Sequence, residues 1–335
     1  MALHAVDDID DAYEATRSFL VPIQARRWLK LALVAFFIGG GMNVPTAQFN
    51  TSSGTGPTGT PPAEIPPMLS DNLVPIIAIV GVTILVLVLA FGLIGAIMEF
   101  VFIESLRREA VSIREYWSDR WPQGLRLFGF RILIGLPVLG FILGWMALFF
   151  APMVLGVGEP LISVAVLFVG FAFLFVIGLL FGLVNGFTTV FVVPIMIQQD
   201  SGVVAGWRRL WESIKTDWKQ YLVYAVLAVV LNMVTGLIAM FATGMVALVL
   251  LVPLALLAGI IHLTVSVGST IGMAILAVFV LLFVLVMMVV WALVQVPILA
   301  YLRYYALLVL GDIDESLDLI PEQRSAIRSS DPSHG

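Results

Sequence analysis

The residues of this chain that could do chemistry inside a membrane form a small polar set between long apolar stretches. They are Glu99, Arg131, Asn185, Thr188, Asn232 and Gln295. One interpretation is a hydrated groove near one membrane surface, able to hold a lipid headgroup or a small solute. The alternative is that the amides and hydroxyls bond between helices, while Glu99 and Arg131 extend to the membrane surface. The sequence favours the second interpretation, since no charged residue falls at the middle of an apolar stretch.

The residue types required for other chemistry are absent or scattered. The chain has no cysteine, which excludes disulfides, thiolate metal sites and a cysteine nucleophile. The histidines His4, His262 and His334 are far apart in the sequence, and the acidic run 7–11 lacks the glycine turn and distal glutamate of a calcium loop. That run is better interpreted as the acidic start of a helix. We therefore predict no metal, no cofactor and no enzymatic activity.

A charged segment at 206–221 separates two very long apolar stretches. At helical spacing one side of it carries Trp207, Leu210, Trp211, Ile214 and Trp218. The other sides carry Arg208, Arg209, Glu212, Lys215 and Lys219. This pattern predicts a helix in the membrane interface, with tryptophan at headgroup depth and the four cations toward anionic lipid. The alternative is a docking site for a soluble partner, which requires an additional assumption.

Similar features precede other apolar stretches. Ile113, Trp117 and Trp121 recur every four residues within a basic segment, which predicts a second interfacial helix. Trp28 lies within the cluster Arg-Arg-Trp-Leu-Lys at 26–30, where the chain is expected to enter the membrane. We predict that these tryptophans, like those of 206–221, lie at the membrane interface.

Composition assigns the chain to the polytopic membrane proteins. Of its 335 residues, 61% are hydrophobic and 12% are charged, and its mean hydropathy is +1.07; about a quarter of a globular chain is charged. The net charge is −5. Basic residues are dispersed along the chain rather than gathered in one patch, which argues against nucleic-acid binding.

Six apolar stretches are long enough, or nearly so, to cross a hydrocarbon core of about 30 Å. The predicted spans are 28–45, 73–99, 127–150, 161–193, 221–249 and 271–299. The region 221–261 could be two spans. One span is preferred, followed by an interfacial or re-entrant piece around Pro253, because two spans would place the C-terminal arginines opposite every other basic residue.

Six spans place all 17 Lys and Arg residues on the side of the N-terminus. The positive-inside rule then predicts a plasma-membrane protein with both termini in the cytoplasm. The predicted fold is an all-α integral membrane protein, with three helical hairpins at about 7–99, 100–197 and 198–307 and amphipathic interfacial helices on the cytoplasmic side. These make up a single membrane domain, 1–307, followed by an acidic cytoplasmic tail, 308–335.

Two further motifs concern packing and modification. Glycines spaced four apart predict close helix contacts. They are Gly140, Gly144, Gly178, Gly182 and Gly186. Asn50 begins an Asn-Thr-Ser sequon in the polar loop 43–72 and is a candidate glycosylation site, although such a tripeptide also occurs by chance.

Short motifs at both ends resemble a known group. The opening Ala-Val-Asp-Asp-Ile-Asp-Asp-Ala-Tyr-Glu-Ala-Thr-Arg at 5–17, the cluster at 26–30 and the acidic segment 312–321 resemble uncharacterised haloarchaeal multispan membrane proteins. The hairpin layout is also similar to the membrane domain of glycerophosphodiester phosphodiesterases. That family's soluble metal-dependent barrel has no counterpart here, so none of its catalytic residues is carried over.

Two functions agree with these features. The first is a non-enzymatic protein that organises or handles membrane lipid, because basic and tryptophan-rich helices are the most developed feature of the chain. The second is a transporter of a small solute or lipid built on the repeated hairpins. Transporters commonly have broken helices near the middle of the membrane, whereas Pro194 and Pro297 lie near the predicted cytoplasmic ends of their spans.

Overall fold

The structure, a computed structural model, describes residues 4–39, 73–155, 160–264 and 269–330. Throughout these ranges the chain forms helices joined by short turns and contains no strand. The prediction of an all-α protein is therefore confirmed. The candidate glycosylation site Asn50 lies outside the described residues.

Nine α-helices, with one π-helix and one 3₁₀-helix, are described in these ranges. They are α1 (His4–Leu20), α2 (Ala25–Ile38), α3 (Leu73–Arg107), α4 (Ile113–Leu155), α5 (Pro160–Phe187), the π-helix (Thr188–Val192), α6 (Val193–Gln199), α7 (Val203–Thr264), α8 (Thr270–Ile313), the 3₁₀-helix (Glu315–Leu317) and α9 (Pro321–Ser330).

Five of the described helices are long and apolar enough to cross a membrane. The qualifying segments are Ala78–Arg107, Ile113–Phe150, Leu167–Gln199, Val203–Ile260 and Thr270–Ile313. They correspond to the second through sixth predicted spans. Helix α2 has 14 residues, and most of the remainder of the first predicted span, up to residue 45, lies outside the described residues.

The predicted interfacial helices are continuous with the spans that follow them. Helix α4 contains both the tryptophan segment at 113–121 and the third span. Helix α7 contains 206–221 and the fifth span, with a kink at Asp217, whose backbone is non-helical at φ −128° and ψ 44°. Beyond the kink α7 runs through Pro253 to Thr264. The predicted interfacial or re-entrant piece is therefore not found.

The buried core lies at one end of the long helices. Residues 95–106, 191–197 and 303–311 are buried on every side of their helices, as expected for helical segments surrounded by protein. Helix α1, the first turns of α4 and α7, and α9 surround these segments. We call this region the packed end. Away from it the side chains of the long helices are apolar and largely exposed, as expected of surfaces that contact lipid.

The long helices pack side by side in the order α5, α4, α3, α2, α8, α7. At the packed end the π-helix and α6 extend from α5 and pack against α7. Helix α1 lies against α8, and α9 lies against α1. This arrangement brings side chains from α3, α4, α8 and the π-helix to one place, just where the apolar parts of the helices begin.

Candidate functional site

Glu99 on α3 lies between two arginines that belong to different helices. Its Oε1 is 3.4 Å from Nη2 of Arg131 on α4, and its Oε2 is 2.6 Å from Nη2 of Arg303 on α8. The exposed side-chain fraction is 3% for Glu99, 7% for Arg303 and 24% for Arg131. One carboxylate therefore faces two guanidinium groups, which leaves this group of side chains with a net positive charge.

The π-helix supplies two consecutive hydroxyls that bind partners on opposite sides. Thr189 Oγ1 accepts a hydrogen bond of 2.8 Å from Nη2 of Arg131, and Thr188 Oγ1 accepts one of 3.0 Å from Nε1 of Trp207 on α7. A π-helix is wider than an α-helix and occurs frequently at functional sites. We refer to Glu99, Arg131, Arg303 and Thr189 as the Glu99 cluster.

Two buried donors of the Glu99 cluster have no hydrogen-bond partner among the described residues. They are Nε of Arg131 and Nε of Arg303. Native proteins pair most of their buried polar groups, so an unpaired one calls for an explanation such as a bound ion or water. Since Arg303 is almost fully buried, its unpaired N–H has little access to bulk water.

Aromatic rings fix the π-helix against α7 and α8. Phe191 contacts Tyr224 at 4.8 Å between ring centroids, and Tyr224 stacks on Tyr305 at 5.5 Å with 19° between the planes. Both Phe191 and Tyr305 are fully buried. This packing holds three of the elements around Arg303 in fixed positions.

The structure brings together only part of the polar set predicted from the sequence. Glu99 and Arg131 meet directly, and Asn185 lies one turn before Thr189 with its Oδ1 buried and unpaired among the described residues. Asn232 is exposed, and its Nδ2 donates to the carbonyl of Ala228 on its own helix. Gln295 is half-buried on α8.

Sequence reasoning missed Arg303, which lies beyond the predicted end of the sixth span. A signal was present in the spacing. Val296, Ala300, Arg303 and Leu307 follow one another at intervals of four, three and four residues, and all are buried. A helix places such residues on one face, so the charge on this otherwise apolar stripe could have identified Arg303 as a buried group.

The first segment of α7 has an inner and an outer face. Leu210 is fully buried, and Trp207 and Ile214 are half-buried on the same side. Trp211 and Trp218 are instead 54% and 55% exposed. The predicted apolar side is thus divided, because it covered too wide an arc of the helix for all of its members to face the core.

Three cations accompany the two exposed tryptophans. Arg208, Lys215 and Lys219 are exposed, and together with Trp211 and Trp218 they form what we call the outer face of α7. Glu212 is exposed beside them. This surface combines large apolar rings with positive charge directly before the long apolar part of α7.

Arg209 does not belong to the outer face. Its Nη2 is 3.1 Å from Oδ2 of Asp314 and 2.8 Å from Oγ of Ser316. The guanidinium therefore joins α7 to the chain that follows α8, whereas the sequence predicted that it would face lipid. The contact could not be predicted, since Asp314 is distant in the sequence and no repeating pattern relates the two residues.

The remaining predicted interface tryptophans lie at the packed end. Trp117 and Trp121 are in contact on α4, with ring centroids 5.7 Å apart, and Trp121 is 40% exposed. Trp28 is half-buried, and its Nε1 donates to the carbonyl of Leu20 at 3.4 Å. Trp121 thus resembles Trp211 in its exposure, while Trp28 and Trp117 are more enclosed.

The glycines predicted to form contact ridges do not lie against another helix among the described residues. A Cβ on any of the five would have no described atom within 4 Å apart from its chain neighbours and the backbone of its own helix. Close approaches occur elsewhere: at Gly124 the nearest backbone atom, Cα of Ile97, would lie 2.9 Å from the added Cβ, and at Gly95 the carbonyl oxygen of Phe37 would lie 2.7 Å away. Four-residue spacing shows that a helix face is smooth, not that another helix lies on it.

A group of ion pairs joins the C-terminal segment to the packed end. Arg328 on α9 binds Asp8 and Asp11 on α1 and Asp312 on α8, while Arg324 binds Asp312 and Asp318. We call this group the C-terminal clasp. Leu317, Leu319 and Ile320 are also buried, so the described part of the predicted acidic tail packs against the membrane domain.

Burial and the neighbouring Asp312 carboxylate raise the pKa of Asp8 to about 8, although Arg328 acts in the opposite direction. The Asp8 side chain is fully enclosed, at 0% exposed, and such burial disfavours the charged form of a carboxyl. Within the described ranges, no group of three or more His, Asp or Glu side chains is arranged to hold a metal ion.

Comparison with known proteins places the chain in a family. The model of a family of unknown function, DUF7544, matches residues 3–320. The chain therefore belongs to this family, and the match includes the Glu99 cluster, the outer face of α7 and the acidic members of the C-terminal clasp. No curated protein and no solved structure matches the chain.

Proposed function

We propose that this protein is a non-enzymatic, six-span membrane protein that binds and organises anionic lipid at the cytoplasmic surface. The observation that carries the proposal is the outer face of α7. It presents two tryptophans that are each more than half exposed and three exposed cations, just before the helix continues into its apolar part. Tryptophan and basic residues together are typical of the lipid headgroup region.

The physical contribution of this surface comes from both residue types. A basic group close to an anionic membrane surface contributes on the order of 1 kcal/mol. Arg208, Lys215 and Lys219 therefore provide roughly 3 kcal/mol before the opposing effect of Glu212. Trp211 and Trp218 add apolar contact at headgroup depth. Arg209 is not counted, because it binds Asp314.

The charge distribution supports the proposed orientation. The described Lys and Arg residues lie on α1, at the start of α2, α4 and α7, at the end of α3 and α8, and on α9. All of these positions belong to the packed end or its immediate border. Under the positive-inside rule the packed end faces the cytoplasm. Packing of α2 on α3, α4 on α5 and α7 on α8 supports three hairpins.

The position of the polar groups favours lipid binding over transport. A transport path requires polar groups near the middle of the membrane. The Glu99 cluster lies instead at the packed end, where the apolar parts of the helices begin. This is the depth of lipid headgroups in the proposed orientation, so the lipid-binding proposal needs no further polar site.

The test is the amount of anionic lipid retained by the full-length protein. Wild-type protein and the triple variant Arg208→Gln, Lys215→Gln, Lys219→Gln are purified from membranes that contain phosphatidylglycerol. Mass spectrometry then measures the phosphatidylglycerol that remains bound. We expect the variant to retain less, and we expect added salt to reduce retention by the wild type, because salt screens exposed charges.

A charge-conserving variant is the matched control. Arg208→Lys, Lys215→Arg, Lys219→Arg keeps the three positive charges and should retain wild-type amounts of phosphatidylglycerol. Equal retention by all three proteins would refute a role for the outer face of α7 in lipid binding. Capture of a soluble protein through the same residues, with no effect on lipid, would favour the docking alternative.

A further inference from the structure

We propose that the Glu99 cluster binds a phosphate-bearing anion, and that the phosphate group of a lipid headgroup is its occupant. The proposal rests on the proposed orientation of the protein, because that orientation places the cluster at headgroup depth. It concerns a different site from the outer face of α7.

The charges of the Glu99 cluster do not balance. Both carboxylate oxygens of Glu99 are engaged, one by Arg131 and one by Arg303. The next carboxylate on α3, Glu104, is engaged by Arg108 and Arg120. Glu99 is thus the described carboxylate that pairs with both arginines of the cluster, and one positive charge remains. A buried charge without a counterion is unfavourable, so the cluster favours a bound anion.

The unpaired donors suit a phosphate. Each guanidinium has five N–H groups in a planar fork, and in this cluster Nε of Arg131 and Nε of Arg303 lack a partner. Phosphate oxygens accept charge-assisted hydrogen bonds from such N–H groups. Because Nη2 of both arginines already binds Glu99, a phosphate would bind each Nε through a single charge-assisted hydrogen bond and would balance the remaining charge.

The cluster has an open side and a closed side. Arg303 and Glu99 are almost fully enclosed, whereas about a quarter of the Arg131 side chain is accessible, at 24%. Arg131 therefore forms the entrance and Arg303 the inner wall. Thr189 binds Nη2 of Arg131 and limits the orientations available to that side chain, so its unpaired Nε is pre-positioned for binding.

The test measures how anions change the thermal stability of the full-length protein. The probes are phosphatidylglycerol added to protein in neutral detergent, phosphatidylcholine as the neutral lipid, and inorganic phosphate. We expect phosphatidylglycerol to raise the melting temperature and phosphatidylcholine to have no such effect. A matching response to inorganic phosphate would assign the site to free phosphate rather than to a headgroup.

Arg131→Gln is the informative variant. It leaves the Glu99 and Arg303 pair intact and removes the unbalanced charge, so it should fold and be at least as stable as the wild type without added anion. The affinity of the variant for whichever anion stabilises the wild type should fall about tenfold, as expected for loss of a charge-assisted hydrogen bond. If Arg131 had only a structural role, Arg131→Gln would instead lower the melting temperature without changing the response to anion.

Two controls distinguish the possible failures. Arg126→Gln removes an exposed charge from the same helix and should respond to anion like the wild type. An unchanged response in Arg131→Gln, or an equal loss in Arg126→Gln, would overturn the anion site. The triple variant of the outer face of α7 should retain the thermal response even if it loses bulk lipid. The two proposals can therefore fail separately.

Discussion

Arg328 binds Asp8 across 320 residues of sequence, with Nη2 of the guanidinium 3.0 Å from Oδ1 of the carboxyl group. The same side chain donates from Nε to Asp11 at 3.0 Å and from Nη2 to Asp312 at 2.5 Å. One arginine therefore joins α9 to α1 and to the end of α8. The packed end depends on a contact between the first and last described helices.

Arg328→Gln should destabilise the packed end. The substitution leaves the buried carboxylate of Asp11 without its cation and removes one of the two arginines that bind Asp312. An unpaired buried charged group costs several kcal/mol. Because Arg328 is one-third exposed, at 33%, solvent reduces the expected cost to about 2 kcal/mol. Thermal unfolding in detergent measures the effect. Arg17→Gln, an exposed change on α1, is the control and should have little effect.

The stability of the packed end should depend on pH through Asp8. The folded protein raises the pKa of this carboxyl from 3.8 to about 8, so folding favours its protonated form. Its stabilising contribution is complete below about pH 4 and is lost as the pH rises to about 8. Asp11, Asp312 and Arg328 surround Asp8 and do not change the direction of this effect.

Asp8→Asn tests this dependence, because asparagine is uncharged at every pH. As the pH rises from 5 to 8, the melting temperature of Asp8→Asn should increase relative to that of the wild type. This range runs from about one unit above the ordinary pKa of aspartate to the raised pKa of Asp8. Parallel melting curves for the two proteins across this range would contradict the prediction.

Trp207 and Trp211 should respond differently to the same substitution. Phenylalanine at 207 removes the indole N–H that binds Thr188 and should cost about 1 kcal/mol. Phenylalanine at 211 changes an exposed side chain and should leave the unfolding free energy nearly unchanged. Denaturant or thermal unfolding in detergent compares the two variants. An equal loss in both would show that Trp211 also contributes to the fold.

The glycine contacts give a second matched pair. Gly124→Ala should be destabilising, because its Cβ would lie 2.5 Å from Cγ1 of Ile97 and 2.9 Å from the Ile97 backbone. Gly182→Leu should be tolerated, since no atom beyond its chain neighbours and the backbone of its own helix lies within 4 Å of its Cβ position. Melting temperatures of the two variants test both expectations. Loss of stability in Gly182→Leu would show that this face packs against something in the detergent-solubilised protein.

The sequence predicts the positions of the helices more completely than it predicts the contacts between them. Apolar runs locate five of the long helices, because a membrane span is defined by local composition and length. The kink between the tryptophan segment and the fifth span lies at Asp217, which is within the segment predicted to be interfacial. Continuity through Pro253 is not predictable from composition, because neighbouring groups decide whether a proline interrupts a membrane helix.

The candidate sites are predicted only in part, for a related reason. Glu99 and Arg131 stand out as charges beside apolar runs, but their meeting with Arg303 depends on how α3, α4 and α8 pack. The C-terminal clasp is less predictable still. Asp8 and Arg328 each belong to short, amphipathic helices, and no local pattern relates residues at opposite ends of the chain.

The proposed six-span topology can be tested by cysteine labelling, since the chain has no cysteine. Single cysteines replacing Ser53 and Glu159 should react with an impermeant maleimide in intact cells, because the proposal places both residues outside. Cysteines replacing Thr216 and Ser325, which are exposed at the packed end, should react only after permeabilisation. Thr216 is a better site than Ser213, which is buried and bonded to Tyr221 at 2.8 Å.

If Ser325 reacts in intact cells while Thr216 does not, an odd number of crossings separates the two residues. The six-span topology would then be wrong, and the region 221–261 would have to cross the membrane twice.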